Sequence, residues 1–184
     1  MKSLVEEYLQ NRSEDDEDMI NAAGASDRRP LHRAAGSNQL DICEYLLSKG
    51  ALVDIQDTAG RTPIFWAALN GHEETVKLLA TKGRANIHIK TIESGTTALH
   101  ISAESGKVAI AKILLMSCKE GDPSIQSQKI KALLNEKCSK GKTALEYAKE
   151  KKASAVVKLI QEVEKGLKKG SYDGGGDSNV CLIQ

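Results

Sequence analysis

Asp57-Thr58-Ala59-Gly60-Arg61-Thr62-Pro63-Ile64-Phe65-Trp66-Ala67-Ala68, continued by Asn70-Gly71-His72 and Val76-Lys77-Leu78-Leu79, reads as one helix-turn-helix unit over 57–90. The Thr62 hydroxyl can cap the first helix, and Pro63 fits its first turn, where a missing N–H costs nothing. Gly71 ends that helix. A second helix from about Glu73 turns Val76, Leu78 and Leu79 inward, and Gly83 stands as its C-terminal stop, where a left-handed residue is cheap. Two helices this short cannot bury their apolar faces alone, so the unit requires stacked copies on either side.

The chain supplies them. Pro30-Leu31-His32-Arg33-Ala34-Ala35 lies 33 residues before Pro63-Ile64-Phe65-Trp66-Ala67-Ala68, Ala98-Leu99-His100-Ile101-Ser102-Ala103 lies 35 after it, and Ala144-Leu145-Glu146-Tyr147-Ala148-Lys149 follows 46 further on. The second helices repeat too, through Ile42, Cys43, Leu46 and Leu47, then Ile110, Ala111, Ile113 and Leu114, then Val156, Val157, Leu159 and Ile160. A period near 33 with Leu31-His32-Arg33-Ala34-Ala35, Gly50-Ala51, Thr62-Pro63 and Gly71-His72 resembles the ankyrin repeat over roughly residues 20–163.

The resemblance implies an all-α solenoid of about four helix-turn-helix repeats, at 25–56, 57–91, 92–137 and 138–163. An N-terminal capping helix and acidic loop in 1–24 precede them. The sequence departs from the family pattern at Arg29, where Thr is usual, at Phe65 and Glu146, where His is usual, and at Ala98 and Ala144, where Pro is usual. In the family, Thr and His hydrogen bond between neighbouring turns, so stacking is expected to be weakest where they are missing.

The 46-residue interval exceeds the period and places an insertion at 117–137. Gly121-Asp122-Pro123 breaks the chain there, and Ile125, Ile130, Leu133 and Leu134 allow a short extra helix, either a decoration or part of a binding surface. Near the N-terminus Leu4, Val5, Tyr8 and Leu9 have helical spacing. Glu14, Asp15, Asp16, Glu17 and Asp18 then form a self-repelling run, read as a solvated loop or a docking strip for a basic partner. Lys149-Glu150-Lys151-Lys152 gives the last repeat the polar edge of a terminal cap. Residues 164–180, with Gly166, Gly170 and Gly174-Gly175-Gly176, read as a flexible tether reaching on the order of 20–24 Å.

Composition narrows the function. The 184 residues are 40% hydrophobic but hold one Trp, one Phe and four Tyr, so Ala, Leu, Ile and Val must do most of the packing. A net charge of +1 argues against a nucleic-acid partner. No basic start with an apolar run is visible and no segment approaches a membrane span, so the reading is a cytoplasmic protein. Cys43, Cys118, Cys138 and Cys181 are scattered, without the spacing of a disulfide framework or a zinc site. No metal or cofactor is expected.

The one motif carrying covalent chemistry is Cys181-Leu182-Ile183-Gln184, a C-a-a-X box of the type read as a farnesylation signal. It implies farnesyltransferase as the modifying enzyme, removal of the last three residues and methylation at Cys181. One lipid gives only reversible attachment. The tail from residue 165 adds Lys165, Lys168 and Lys169 against Asp173 and Asp177, so the expectation is an exchangeable, peripheral position on the cytoplasmic face of a membrane.

Enzyme readings do not survive. His32 and His100 sit at the repeat's structural histidine position, His72 follows a turn glycine, and His88 lies in a loop. A Cys138 nucleophile with His100 is the nearest thing to a catalytic pair, and Gly174-Gly175-Gly176 follows no strand and opens no helix. Trp66, aligned with Arg33, Ile101 and Tyr147, reads as partly packed. The chain is therefore read as a non-catalytic, monomeric protein-interaction module. As the resemblance implies, its partner meets turn tips and inner helices at Arg28, Thr58, Arg61, Leu69, Asn70, Glu93, Thr96, Glu104, Ser105, Lys142 and Lys151. Two alternatives are a soluble stoichiometric inhibitor of a kinase or transcription factor, and a pathogen effector prenylated by its host.

Overall fold

Thr62 caps as its position implies: its Oγ1 accepts from the Phe65 N–H at 3.4 Å, with Pro63 in the first turn. Thr143 does the same for Glu146 at 3.4 Å, and Glu146 returns the bond to the Thr143 N–H at 2.7 Å, which completes a capping box. The computed structural model describes residues 19–117 and 123–168. The expected N-terminal helix, the acidic run, Cys118 and Cys181 lie outside the described residues, as does 169–180 of the expected tether.

Nine α-helices and no strand occur among the described residues. After a short 3-10 turn at Ala25–Asp27 come α1 (Pro30–Gly36), α2 (Leu40–Ser48), α3 (Pro63–Asn70), α4 (Glu73–Thr81), α5 (Ala98–Glu104), α6 (Val108–Ser117), α7 (Pro123–Asn135), α8 (Ala144–Glu150) and α9 (Ser154–Lys168). Each repeat pairs a short inner helix with an outer one. The inner row stacks α1 on α3, α3 on α5 and α5 on α8, and the outer row stacks α2 on α4, α4 on α6 and α6 on α9. One continuous core results, in which Leu31, Ile64 and Leu99 repeat in register and Ala35, Ala68 and Ala103 are fully buried. Alanine at those positions lets short helices approach closely, which is why so few aromatic residues suffice.

Turn tips are joined by one backbone hydrogen bond per junction: Thr58 N–H to Ser26 O at 3.1 Å, Ile92 N–H to Ala59 O at 3.0 Å, and Ser139 N–H to Ser94 O at 2.9 Å. Histidine adds a second tie at two junctions. His32 Nδ1 accepts from the Arg29 N–H at 3.1 Å, which leaves the ring proton on Nε2 to be donated to Arg61 O at 3.0 Å. His100 Nδ1 likewise meets Thr97 at 2.9 Å while Nε2 donates to Lys142 O at 3.1 Å. Arg29 in place of threonine therefore does not break the first tie, because a backbone N–H serves instead of the hydroxyl. Phe65 is buried and has no ring nitrogen to give, so the junction between the second and third repeats lacks this tie. Glu146 needs none, since no further repeat follows it among the described residues.

Two expectations are corrected. Gly83 is not left-handed; the positive φ falls on Arg84, at 52°. Glycine is needed at 83 because a Cβ there would stand 2.7 Å from Leu79 O. The tether does not begin at 164, because α9 runs on through Gly166 to Lys168. Val156, Ile160, Val163 and Leu167 keep one apolar stripe at helical spacing, and Leu167 is buried where α9 packs on α6 and α7. The extra helix that the insertion allows is present as α7, and Ile130, Leu133 and Leu134 join the core while Ile125 stays exposed.

Gly60 provides a direct check on how tightly the tips stack. It has a φ of +76°, and an added Cβ would sit 2.6 Å from the Ile92 backbone N. Gly50 has a similar φ of +84° with nothing within 4 Å. Gly50→Ala should cost roughly 1 kcal/mol of backbone strain, and Gly60→Ala about 2 kcal/mol or more. Equal urea midpoints for the two variants would show that the tips do not press on one another.

Candidate functional site

The turn before α3 is built around one carboxylate. Asp57 Oδ1 accepts from the Ala59 and Arg61 N–H groups at 3.0 and 2.9 Å, an Asx-type turn that the Gly60 N–H closes onto Asp57 O at 2.8 Å. Its other oxygen accepts from Trp66 Nε1 at 3.0 Å. The side chain is 2% exposed. Trp66 is thereby fixed at the edge of α3, half-buried, and two guanidinium groups lie over its ring. Arg28 Cζ stands 4.2 Å from the ring centroid and Arg61 Cζ 5.0 Å.

Arg28 and Arg61, both expected contact residues, are thus brought together across the first junction, with Thr58 exposed at the same tip. A second group forms at the far end of the stack. There Glu104 pairs with Lys151 at 3.1 Å, and Lys142 pairs with Glu150 at 2.6 Å. Ser105 is exposed beside Glu104. Asn70 is exposed, but its Nδ2 donates to Gly36 O at 2.7 Å, next to His72 Nε2 on the same carbonyl at 3.0 Å, so it also staples the first two repeats. Leu69 is half-buried, and its carbonyl takes the Lys107 ammonium, whose pKa is lowered by desolvation. Glu93 is exposed, with its carbonyl held by Ser139 Oγ at 2.7 Å.

Thr96 is the clear departure. It is 7% exposed, within a hydroxyl cluster that bonds it to Thr91 at 3.0 Å and Ser94 at 2.8 Å. The third turn carries one residue more than the second, since Thr91 bonds Thr96 where Asp57 bonds Arg61. The extra residue draws Thr96 inward, so it shapes the tip and offers no surface. Asp57 was absent from the expected contact set. Its signal was an Asp three residues before a Gly, which marks an Asx turn without saying what the second oxygen would hold.

His100 is not placed to serve Cys138 as a general base. His100 spends both ring nitrogens, on Thr97 and on Lys142 O, and presents its ring edge-on to Tyr147 at 5.8 Å. Desolvation lowers its pKa below the usual 6.5, as it does for His32, so both rings are neutral at pH 7. Burial pushes the Cys138 thiol up, but the Tyr147 hydroxyl and neighbouring backbone N–H groups outweigh it, and the net direction is down. Tyr147 is pushed up to about 12 by the hydrogen bond to that sulfur. Cys43, buried in the core, is pushed up to about 11 by desolvation. Among the described residues no group of three or more His, Cys, Asp or Glu could hold a metal ion, and no helix is long and apolar enough to cross a membrane.

Residues 31–127 match the family described as ankyrin repeats, in three copies. The chain is 30% identical over 135 residues to a probable 26S proteasome regulatory subunit, p28, of Saccharomyces cerevisiae, covering 72% of this chain and 54% of that protein. It is 41% identical over 86 residues to a probable E3 ubiquitin-protein ligase, XBOS33, of Oryza sativa, covering 47% of this chain and 16% of that one. It is 33% identical over 99 residues to human transient receptor potential cation channel subfamily A member 1, covering 52% and 9%. The chain thus spans between about a tenth and about half of the length of these relatives. Their names differ while the matched repeats are shared, so the repeats are the common part. With the stacked helix pairs, the His32 and His100 ties and a matched span of more than half its length, the chain belongs to the ankyrin-repeat family, a fold of protein-interaction modules.

Proposed function

We propose that the chain is a non-catalytic adaptor whose turn tips and inner helices bind a protein partner, and that farnesylation of Cys181 holds it reversibly at the cytoplasmic face of a membrane. The observation that carries the adaptor reading is the Arg28, Trp66 and Arg61 corner, where charged and aromatic groups are fixed at a turn tip and a buried carboxylate organises them. Trp and Arg are the residue types that dominate binding energy at interfaces. The tether reading rests on Cys181-Leu182-Ile183-Gln184 and requires that Gln184 carry the free carboxylate in the cell. With one lipid and few basic residues beside it, attachment is exchangeable. Exposed Lys149, Lys152 and Lys158 are available to reinforce it, whereas Lys151 is engaged with Glu104.

A second reading, a soluble regulatory subunit or stoichiometric inhibitor, is favoured by the yeast relative, whose name is that of a regulatory subunit. Two experiments test the proposal. Pull-downs with Arg61→Glu/Leu69→Asp should lose partner recovery at least tenfold against wild type, and equal recovery would remove the adaptor face from this surface. Cys181→Ser should move the protein from membrane to soluble fractions of cells; an unchanged distribution sinks the tether and favours the soluble reading.

A further inference from the structure

Arg28, Arg61, Thr96 and Lys142 occupy one register position, each directly before the residue that caps an inner helix. Their surroundings differ. Thr96 is neutral and buried, and Lys142 is neutralised by Glu150 at 2.6 Å. The Arg28 guanidinium lies beside one carboxylate, Asp57, the Arg61 guanidinium forms an ion pair with none among the described residues, and the Asp57 oxygens already accept from the Ala59, Arg61 and Trp66 N–H groups. Asp57 stays 3.9 Å from Arg28 Nε, beyond hydrogen-bond range, and Arg28 Nε is buried without a hydrogen-bond partner. The corner therefore holds two guanidinium charges against one committed carboxylate, and this imbalance is confined to the first two repeats.

We infer that this corner takes an anionic side chain of a partner peptide, with the oxygens of a carboxylate or phosphate accepting hydrogen bonds from Arg28 and Arg61. The inference rests on the adaptor reading and names the chemistry of its partner. A guanidinium offers a planar fork that matches both oxyanions. Stacking over Trp66 holds both forks in place before the ligand arrives, which reduces the ordering cost of binding. Charge complementarity fixes the sign of the ligand, because Asp57 is buried beneath the corner and cannot turn outward to neutralise it.

Trp66 is the one tryptophan in the chain, so its emission reports on the site in the unmodified, full-length protein. Degenerate nonapeptides with a fixed central phosphoserine, glutamate or glutamine serve as probes. Trp66 emission should change saturably with the phosphoserine and glutamate peptides and not with glutamine, and the tighter of the two identifies the oxyanion source. Arg28→Gln and Arg61→Gln should each weaken binding about tenfold, about 1.4 kcal/mol, with circular dichroism confirming the fold. Arg61→Lys, which keeps charge but loses the fork, should fall between, and Lys77→Gln, exposed on the outer helix α4, should leave affinity unchanged. An equal response to glutamine, no saturable response to either anionic peptide up to about 1 mM, or wild-type affinity in Arg28→Gln/Arg61→Gln would overturn the inference. A parallel pull-down separates the two claims. Equal partner recovery by wild type and the double variant leaves the adaptor and removes its acidic preference, whereas no recovery by wild type removes the adaptor itself.

Discussion

Asp57→Ala should lower stability by roughly 3 kcal/mol, a substantial share of the roughly 5–15 kcal/mol by which folded domains are stable. The substitution takes away no apolar packing of consequence, so the loss comes from hydrogen bonding. Ala59 N–H, Arg61 N–H and Trp66 Nε1 lose their acceptor together, and a buried donor left unpaired costs on the order of 1–3 kcal/mol. Water at the tip recovers much of this for Ala59 and Arg61, which holds the three losses together to roughly 3 kcal/mol, the low end of their sum. Asp57→Asn should cost less, because Oδ1 still serves the two backbone donors while Nδ2 faces the indole N–H donor to donor. Trp66 emission should shift to the red in both variants as the ring loses its anchor. The opposing term is the desolvation of a 2% exposed carboxylate whose nearest cation is 3.9 Å away. If that term dominated, Asp57→Ala would leave the urea midpoint unchanged or raise it, and Asp57 would be a cost the turn tolerates for the sake of the arginine corner.

The repeat was legible because its signals are local. Thr62-Pro63 and Gly71 state where α3 begins and ends without reference to anything distant, and spacing then brings the copies into line. The arginine corner was not legible, because Arg28, Asp57 and Trp66 meet only once α1 stacks on α3, and each has a bland reading alone. Arg28 and Arg61 stand out by register position alone, but their sharing of one indole, and the pairing of Arg28 with a buried carboxylate of the next repeat, are tertiary facts. Thr96 shows the limit from the other side. The register puts it on the tip, yet a single extra residue in 91–96 turns its hydroxyl inward. Gly83 and Arg84 teach the same lesson at backbone level: glycine marked the helix end correctly, but steric contact with Leu79 O, and not handedness, is what requires it. At the other end, Gly166 suggested a break, whereas the apolar stripe through Leu167 has a surface on α6 and α7 to pack against.

Acid should loosen this stack well above the range where carboxylates titrate. His32 and His100 are 2% and 1% exposed, and desolvation outweighs their carbonyl acceptors, so both folded-state pKa values lie below 6.5. In the unfolded chain each titrates near 6.5. Stability from this source is therefore complete above about pH 6.5 and is lost as pH falls from there toward the lower folded-state values, because only the unfolded chain gains protons in that window. The slope is at most about 1.4 kcal/mol per pH unit for each histidine. Urea midpoints at pH 7.5, 6.5 and 5.5 should fall together with that window, and a flat profile down to pH 5.5 would show that the rings protonate in place. His32→Gln separates the two rings. Glutamine can still donate to Arg61 O but does not titrate, so the variant should be less stable at pH 7.5 and have roughly half the wild-type slope. The loss should also be uneven along the stack. A ring that takes a second proton on Nδ1 once its junction has opened can no longer accept the Arg29 or Thr97 N–H there, so the ties given by His32 and His100 do not re-form. The junction at Phe65 has no such tie to lose. Amide exchange at pH 5.5 should therefore rise first around Arg61 and Lys142, at the two histidine-tied junctions, and later at the tip between the second and third repeats.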